Sequence, residues 1–241
     1  MHYETSIIPY MNESITEVLR EYFDVKCCDK GHWWFTEWDS HCRKVFNVYA
    51  LKGTDWPMYW GYNFDFIPWE KNLLKCSGKL GYFRTEKAVH IDFGGSIYRY
   101  IGFEDFCSGN SYNWDSDRHR EFLAARDKYF VPIYGPDAEW AKEHIGEVVR
   151  QNIPFMQDWF GRIKTIDDII ALETEYINEN ETEISFPYGS YWVRGFLYAK
   201  QHRMEEAIAD IQRVYEYEYF HTDKQIPPNV LKKLYEVDKL I

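Results

Sequence analysis

The chain has 241 residues, of which 45% are hydrophobic and 28% charged, and its formal net charge is −11. This balance is ordinary for a globular protein with its own hydrophobic core. The negative charge repels phosphate backbones and anionic lipid headgroups, so it argues against nucleic acid and membrane surfaces as partners. A basic protein is the partner that the charge favours, although acidity also serves solubility alone.

The cysteines and the N-terminal residues both indicate a cytoplasmic protein. The cysteine count is odd and two cysteines are adjacent, which does not fit a disulfide framework, so we expect five thiols. The N-terminal residues lack a basic segment followed by a long apolar run, and no run approaches the ~20 apolar residues of a membrane-spanning helix. The five cysteines are Cys27, Cys28, Cys42, Cys76 and Cys107.

The first half of the sequence predicts one helix followed by strands. The residues from Ser14 to Glu17 match a capping box, which predicts a helix that begins there. Six segments with strand-like alternation follow, separated by turn residues rather than by helical runs, so a mostly antiparallel sheet is expected over roughly 30–105. The predicted strands are Trp33–Trp38, Arg43–Leu51, Met58–Ile67, Lys79–Thr85, Ala88–Phe93 and Ser96–Ile101.

The second half of the sequence has helical periodicity. Gly135-Pro136-Asp137 is typical of a helix start, and Pro154 predicts that this helix breaks near Asn152. The other predicted helices are Asp117–Phe130, one from Thr165 to about Ile177, Ser190–His202, Met204–Phe220 and one that follows Pro227-Pro228. The expected fold is α+β, with a sheet region over 1–112 and a helical region over 113–241 packed as one body.

A group of cysteines and histidines near the start of the sheet raises the question of a zinc site. Zinc needs four ligands that converge on one point. The turn residues Asp39-Ser40 between the first two predicted strands predict a hairpin. This hairpin places His32 and His41 at opposite ends, about 20 Å apart at roughly 3.3 Å per residue. We therefore predict no metal at this group, which comprises Cys27, Cys28, His32, His41 and Cys42.

The main alternative for function is a metal-assisted hydrolase. His90 and Asp92 alternate with an apolar strand face, so their side chains share the opposite face. Together with a second group of Asp and His residues further along the chain, they provide suitable ligands for a metal ion in hydrolysis. An exposed polar surface explains the same residues. The second group is Asp115, Asp117 and His119. Motifs for nucleophilic catalysis and for phosphate binding are missing from the sequence, so we predict no catalytic residue, metal or cofactor.

Two features favour binding rather than catalysis. From Trp33 to Trp69, 13 of 37 residues are aromatic. One face of a sheet cannot bury this many rings, so some of them should be exposed and available for binding. Tyr49 and Tyr59 are the predicted contact residues. The alternatives are that helices cover both faces or that the aromatics line a pocket for a small apolar ligand.

The second feature is an acidic segment. From Thr165 to Val193 there are seven acidic residues and no Lys or Arg. Such a segment steers a basic partner or is simply solvated. The predicted contact residues are Glu179, Glu181 and Glu183.

The sequence also resembles two known kinds of protein. Residues Tyr191–Val214 resemble one tetratricopeptide-type helical hairpin, with Gly195 at a small position of its first helix and His202 in place of the usual turn glycine. The packing positions of its second helix are Ala207, Ile211 and Val214. The order of elements, including Ile153-Pro154-Phe155-Met156, resembles bacterial families of unknown function. Some small acidic proteins of that kind are immunity proteins, so the resemblance implies a non-enzymatic protein that neutralises a cationic toxin.

Overall fold

A computed structural model describes residues 5–6, 8–28, 32–48, 55–68, 96–100, 128–132, 134–181, 188–216 and 225–240. The chain forms two compact units. The first, here called the sheet unit, comprises residues 1–39, 43–62 and 98–160. The second, here called the helical unit, comprises residues 40–42, 63–97 and 161–241. The predicted boundary near residue 112 lies outside the described residues.

The strands confirm the antiparallel sheet predicted for the N-terminal half. The strands are β1 (Thr5–Ser6), β2 (Lys26–Cys28), β3 (Trp33–Phe35), β4 (Cys42–Val48), β5 (Asp55–Phe64), β6 (Ser96–Tyr100), β7 (Phe130–Pro132) and β8 (Tyr134–Gly135). The main sheet has the order β2-β3-β4-β5-β6, and β7 also pairs with β5. The β2–β3, β3–β4 and β5–β7 pairs are antiparallel, as is the separate β1–β8 pair.

The helices confirm the rest of the α+β prediction. They are α1 (Ile8–Tyr22), α2 (Ala138–Arg162), α3 (Ile166–Asn180), α4 (Tyr188–Lys200), α5 (Met204–Glu216) and α6 (Pro228–Asp238). The last four belong to the helical unit. None of the helices in the described ranges combines the length and the apolar character needed to cross a membrane.

The predicted hairpin between the second and third strands of the sheet is present. Trp33 lies opposite Asn47 and Phe35 opposite Val45. The turn contains Ser40 and His41, both with positive φ (47° and 72°). Positive φ is uncommon for residues other than glycine, although histidine is among the types enriched there. The predicted strands at 79–85 and 88–93 lie outside the described residues.

The predicted start of α1 is wrong. The helix begins at Ile8, and Ser14 lies inside it with its side chain buried. The apolar face extends upstream of the supposed capping box, because Met11 is fully buried on the same side as Ile15. The better start signal is Pro9, since proline is favoured in the first turn of a helix.

The predicted break at Pro154 is also wrong, because α2 continues through this proline to Arg162. Proline removes one helical hydrogen bond. Here Ile153, Met156 and Phe160 are buried on both sides of it, and their packing holds the helix together. The predicted start of α2 needs only a small shift, since Asp137 is the cap and its Oδ1 accepts from the Trp140 N–H at 2.8 Å. Phe130, predicted as the end of a helix, lies in β7.

The core of the sheet unit is built largely from aromatic rings. The rings of Phe23 and Phe46 lie 4.8 Å apart, and both contact Phe160. Tyr62 contacts Phe160 edge-on at 5.2 Å. The ammonium group of Lys44 lies 4.9 Å from the Phe160 ring centroid, which is the geometry of a cation–π contact. These described rings thus form part of the core of the sheet unit.

Candidate functional site

Many of the residues that the sequence singles out lie outside the described ranges. The hydrolase hypothesis depends entirely on such residues, so it stays a hypothesis. The same holds for two of the predicted contact residues. The residues concerned are His90, Asp92, Asp115, Asp117, His119, Tyr49 and Glu183.

The aromatic contact surface has one member in the described part of β5. Tyr59 is half-buried there. Trp38, just before the β3–β4 turn, is 41% exposed. The guanidinium of Arg43 lies 4.1 Å from the centroid of the Trp38 ring and 4.7 Å from that of Phe35. The exposed ring of Trp38 therefore makes an intramolecular cation–π contact with Arg43.

The histidines of the supposed zinc group have separate partners. A ring nitrogen of His32 is 2.8 Å from the Asn12 side-chain oxygen, and a ring nitrogen of His41 is 3.0 Å from Asp65. Cys27 is half-buried. Within the described ranges, no three His, Cys, Asp or Glu side chains are grouped so that they hold a metal ion.

The helical unit is organised around α4, which contacts α3, α5 and α6. Gly195 lets α4 and α5 approach closely, because a Cβ at this position would lie 2.9 Å from the side chain of Ile211. The turn between the two helices contains His202 with φ 59°, the left-handed conformation that glycine usually supplies. Trp192 is fully buried, and its indole N–H donates to the Pro68 carbonyl at 2.8 Å.

A buried ion pair, which we call the Arg194 network, links three of these helices. Arg194 in α4 donates two hydrogen bonds to the Asp210 carboxylate in α5, at 2.6 and 2.8 Å. Its third nitrogen donates to the Thr174 hydroxyl in α3 at 3.0 Å. Burial acts to lower the pKa of Arg194, but the Asp210 hydrogen bonds and charge outweigh it and the pKa is raised. Burial raises the pKa of Asp210, and the hydrogen bonds and charge of Arg194 oppose this effect. The two short hydrogen bonds from the guanidinium to both carboxylate oxygens are the geometry of an ion pair.

A second ion pair uses one of the predicted contact residues. The hydroxyl of Tyr191 donates to Glu181 at 2.7 Å, and Arg213 donates to the other oxygen of the same carboxylate at 2.7 Å. The Tyr191 hydrogen bond, with Arg213, lowers the pKa of Glu181. Arg213 of α5 thus forms an ion pair with Glu181 of the acidic segment, and the charge of Glu181 is balanced within the helical unit.

Glu173 occupies the buried side of α3. Its pKa is raised to about 7 by burial, and a hydrogen bond with Ser190 and the charge of Arg194 only partly oppose this effect. Groups that titrate near neutral pH inside a protein are candidates for proton-linked function. The sequence carried a signal for this position, because Glu173 shares a helical face with Ile169, Ile170 and Ile177.

The opposite side of α3 presents acidic side chains to solvent. Asp167, Glu175 and Glu179 are all exposed, and Tyr176 between them is 52% exposed. At 100° per residue these four positions fall on one half of the helix, away from the buried isoleucines. We call these four residues the outer face of α3. Glu179 is the predicted contact residue that lies on it.

Comparison with known proteins gives no match: no family model, curated protein or solved structure matches this chain. The resemblances to a tetratricopeptide-type hairpin and to bacterial families of unknown function stay expectations.

Proposed function

We propose that this protein is a non-enzymatic interaction protein that binds a basic protein partner through the outer face of α3. The observation that carries the proposal is the exposure of Asp167, Glu175 and Glu179 on one side of one helix. The exposed ring of Tyr176 lies within the same face and offers apolar contact area beside the charges.

Electrostatics and contact have separate roles in this proposal. Exposed carboxylates attract a cationic partner during encounter and set its orientation. An aromatic side chain that becomes desolvated in the complex slows dissociation instead. The net charge of −11 adds a field of the same sign around the molecule. A narrower form of the proposal is an immunity-like protein whose partner is a cationic toxin.

The ion pairs and capping bonds of the helical unit reduce the number of acidic residues that are available for binding a partner. Glu181 is held by Tyr191 and Arg213, so its substitution would disturb the fold as well as the charge. Asp168 accepts hydrogen bonds from the backbone and hydroxyl of Thr165 in the capping box of α3. We therefore assign binding to Glu175 and Glu179 rather than to the whole acidic segment.

The test is capture from a lysate of the native host with three forms of the immobilised protein. One form is unchanged and one carries Glu175→Lys with Glu179→Lys. The control carries Glu143→Lys with Glu147→Lys, two exposed residues of α2 with the same four-residue spacing. Both variants raise the net charge by the same amount.

We expect proteins rich in Lys and Arg to bind the unchanged form and the α2 control, and to be lost from the α3 variant. Loss from both variants would mean that only the overall charge attracts the partner. Equal capture by all three forms, or capture of proteins without a basic surplus, would contradict the proposal.

A further inference from the structure

The helical unit contains two buried carboxyl groups but a single buried guanidinium among its described residues. Glu173 and Asp210 are 8% and 7% exposed. Among the described residues, the cation near them is Arg194, whose side chain is 11% exposed. A buried charge without a counter-charge is strongly destabilising, so the ionisation state of the second carboxyl depends on what Arg194 can still offer.

Three of the five N–H groups of Arg194 already donate within the Arg194 network. Its Nε and Nη2 atoms donate to Asp210, and its Nη1 atom donates to Thr174. The guanidinium and the Asp210 carboxylate balance each other, so the net charge of the pair is zero. Glu173 then becomes an unbalanced negative charge if it ionises.

Among the described residues, the other groups around Glu173 do not supply a balancing cation. From α4 it meets the hydroxyl of Ser190 and, one turn further, the charge of Arg194. On α3 itself, burial and the charge of Glu173 together raise the pKa of the Tyr176 phenol. Arg213 of α5 lies in the separate ion pair with Glu181.

We propose that Glu173 is a proton-operated switch: when protonated it holds α3 against the start of α4, and when ionised it loosens this junction. The carboxyl sits at the junction, because its hydrogen-bond partner Ser190 belongs to the first turn of α4. This inference is independent of the proposed binding function, since Glu173 lies on the side of α3 opposite the outer face.

The direction of the effect follows from linkage. The pKa of Glu173 is about 7 in the folded unit and 4.5 in the ordinary, solvated state. The folded state therefore binds more protons between these values, and the junction weakens as pH rises from 4.5 to 7. Glu173 in the folded unit is half ionised at about pH 7, so the effect levels off about one pH unit higher. For an opening that exposes Glu173 to water, the opening equilibrium rises about 40-fold between pH 5 and pH 7.

The first experiment measures the titration of Glu173 directly. The intact protein, labelled with carbon-13 at the glutamate carboxyl, is followed by NMR from pH 4 to pH 9. We expect one carboxyl resonance with a midpoint near 7, and we expect Glu173→Gln to remove that resonance. Midpoints below about 5.5 for every glutamate would overturn the proposal.

The second experiment measures the consequence for the junction. Amide hydrogen exchange of residues 188–200 is converted to protection factors, which removes the intrinsic pH dependence of the chemistry. We expect protection in the first turns of α4 to fall about 40-fold from pH 5 to pH 7 in the unchanged protein, and to stay constant in Glu173→Gln.

The matched control is Glu179→Gln, which removes an exposed carboxylate two turns away on the same helix. It should retain the full pH dependence. A pH-dependent loss of protection that persists in Glu173→Gln would place the switch elsewhere and overturn the proposal. Constant protection in the unchanged protein would overturn it as well.

Discussion

The sheet unit and the helical unit fill their interiors in different ways. The sheet unit packs rings against rings, with Phe23, Phe46 and Phe160 in mutual contact. The helical unit also has an apolar core, but it encloses the Arg194–Asp210 pair and the carboxyl of Glu173. Ring packing depends little on pH, whereas enclosed charges depend on every partner being present. The comparison therefore predicts different responses of the two units to mutation and to pH.

The largest effect is expected in the ring core of the sheet unit. Phe46 is fully buried and contacts two other rings, so Phe46→Ala leaves a large cavity. We expect a loss of about 3–5 kcal/mol in the free energy of unfolding. Urea denaturation followed by circular dichroism measures it. Phe46→Leu retains most of the volume and should cost less than about 1.5 kcal/mol. Equal losses for the two variants would show that ring packing is not the main contribution of Phe46 to the free energy of unfolding.

A loss of about 3 kcal/mol is expected when one partner of the buried ion pair is removed. Arg194→Met leaves the Asp210 carboxylate buried without its two hydrogen bonds. In the double variant Arg194→Met with Asp210→Leu, both charges are gone and most of the stability should return. The double-mutant cycle by urea denaturation checks this. A double variant that is less stable than either single variant would mean that the pair contributes more than charge balance.

Two helical glycines provide a smaller test. Gly195→Ala places a Cβ 2.9 Å from Ile211 and 3.3 Å from the Ala207 carbonyl, so we expect a loss of about 1–3 kcal/mol. Gly161 is also inside a helix but has nothing within 4 Å of the added atom. Gly161→Ala should therefore be neutral or stabilising by up to about 1 kcal/mol. Thermal unfolding of the two variants compares them, and equal shifts would refute the close approach of α4 and α5.

The smallest effect is expected at the α4–α5 turn. His202 holds φ at 59° and is exposed, with a hydrogen bond to Asp238 at 3.1 Å. Glycine adopts this conformation without strain, so His202→Gly should stabilise the protein by about 0.5–1 kcal/mol. His202→Ala keeps the strain and loses the hydrogen bond, so it should not stabilise. If the alanine variant also raised the melting temperature, backbone strain would not be the cause.

The regular parts of the fold were predictable because they depend on local patterns. The predicted helix start at Thr165 is confirmed, since Thr165 is the N-cap of α3. The alternating residues of the β3–β4 hairpin predicted their pairing. The errors came from non-local packing. Pro154 is tolerated inside α2 because residues on both sides of it are buried, and one-dimensional patterns do not contain that information.

The charges of the candidate site were harder to predict for the same reason. The sequence shows an acidic segment without Lys or Arg. In the structure, however, the charge of Arg194 in α4 acts on Glu173, and Arg213 in α5 donates a hydrogen bond to Glu181. Arg194 lies 21 residues from Glu173 along the chain, and Arg213 lies 32 residues from Glu181. Which acids face solvent therefore depends on how the helices pack, and this separates Glu179 from Glu181.

The association rate between this protein and a captured basic partner is the most direct test of the proposed function. Rates are measured by stopped flow at several ionic strengths for the unchanged protein, the Glu175→Lys/Glu179→Lys variant and the Glu143→Lys/Glu147→Lys control. Exposed charges act mainly on encounter. We expect the α3 variant to associate about tenfold more slowly at low salt, with a flatter salt dependence and an unchanged dissociation rate. Association rates that ignore both salt and the α3 reversal would contradict the account.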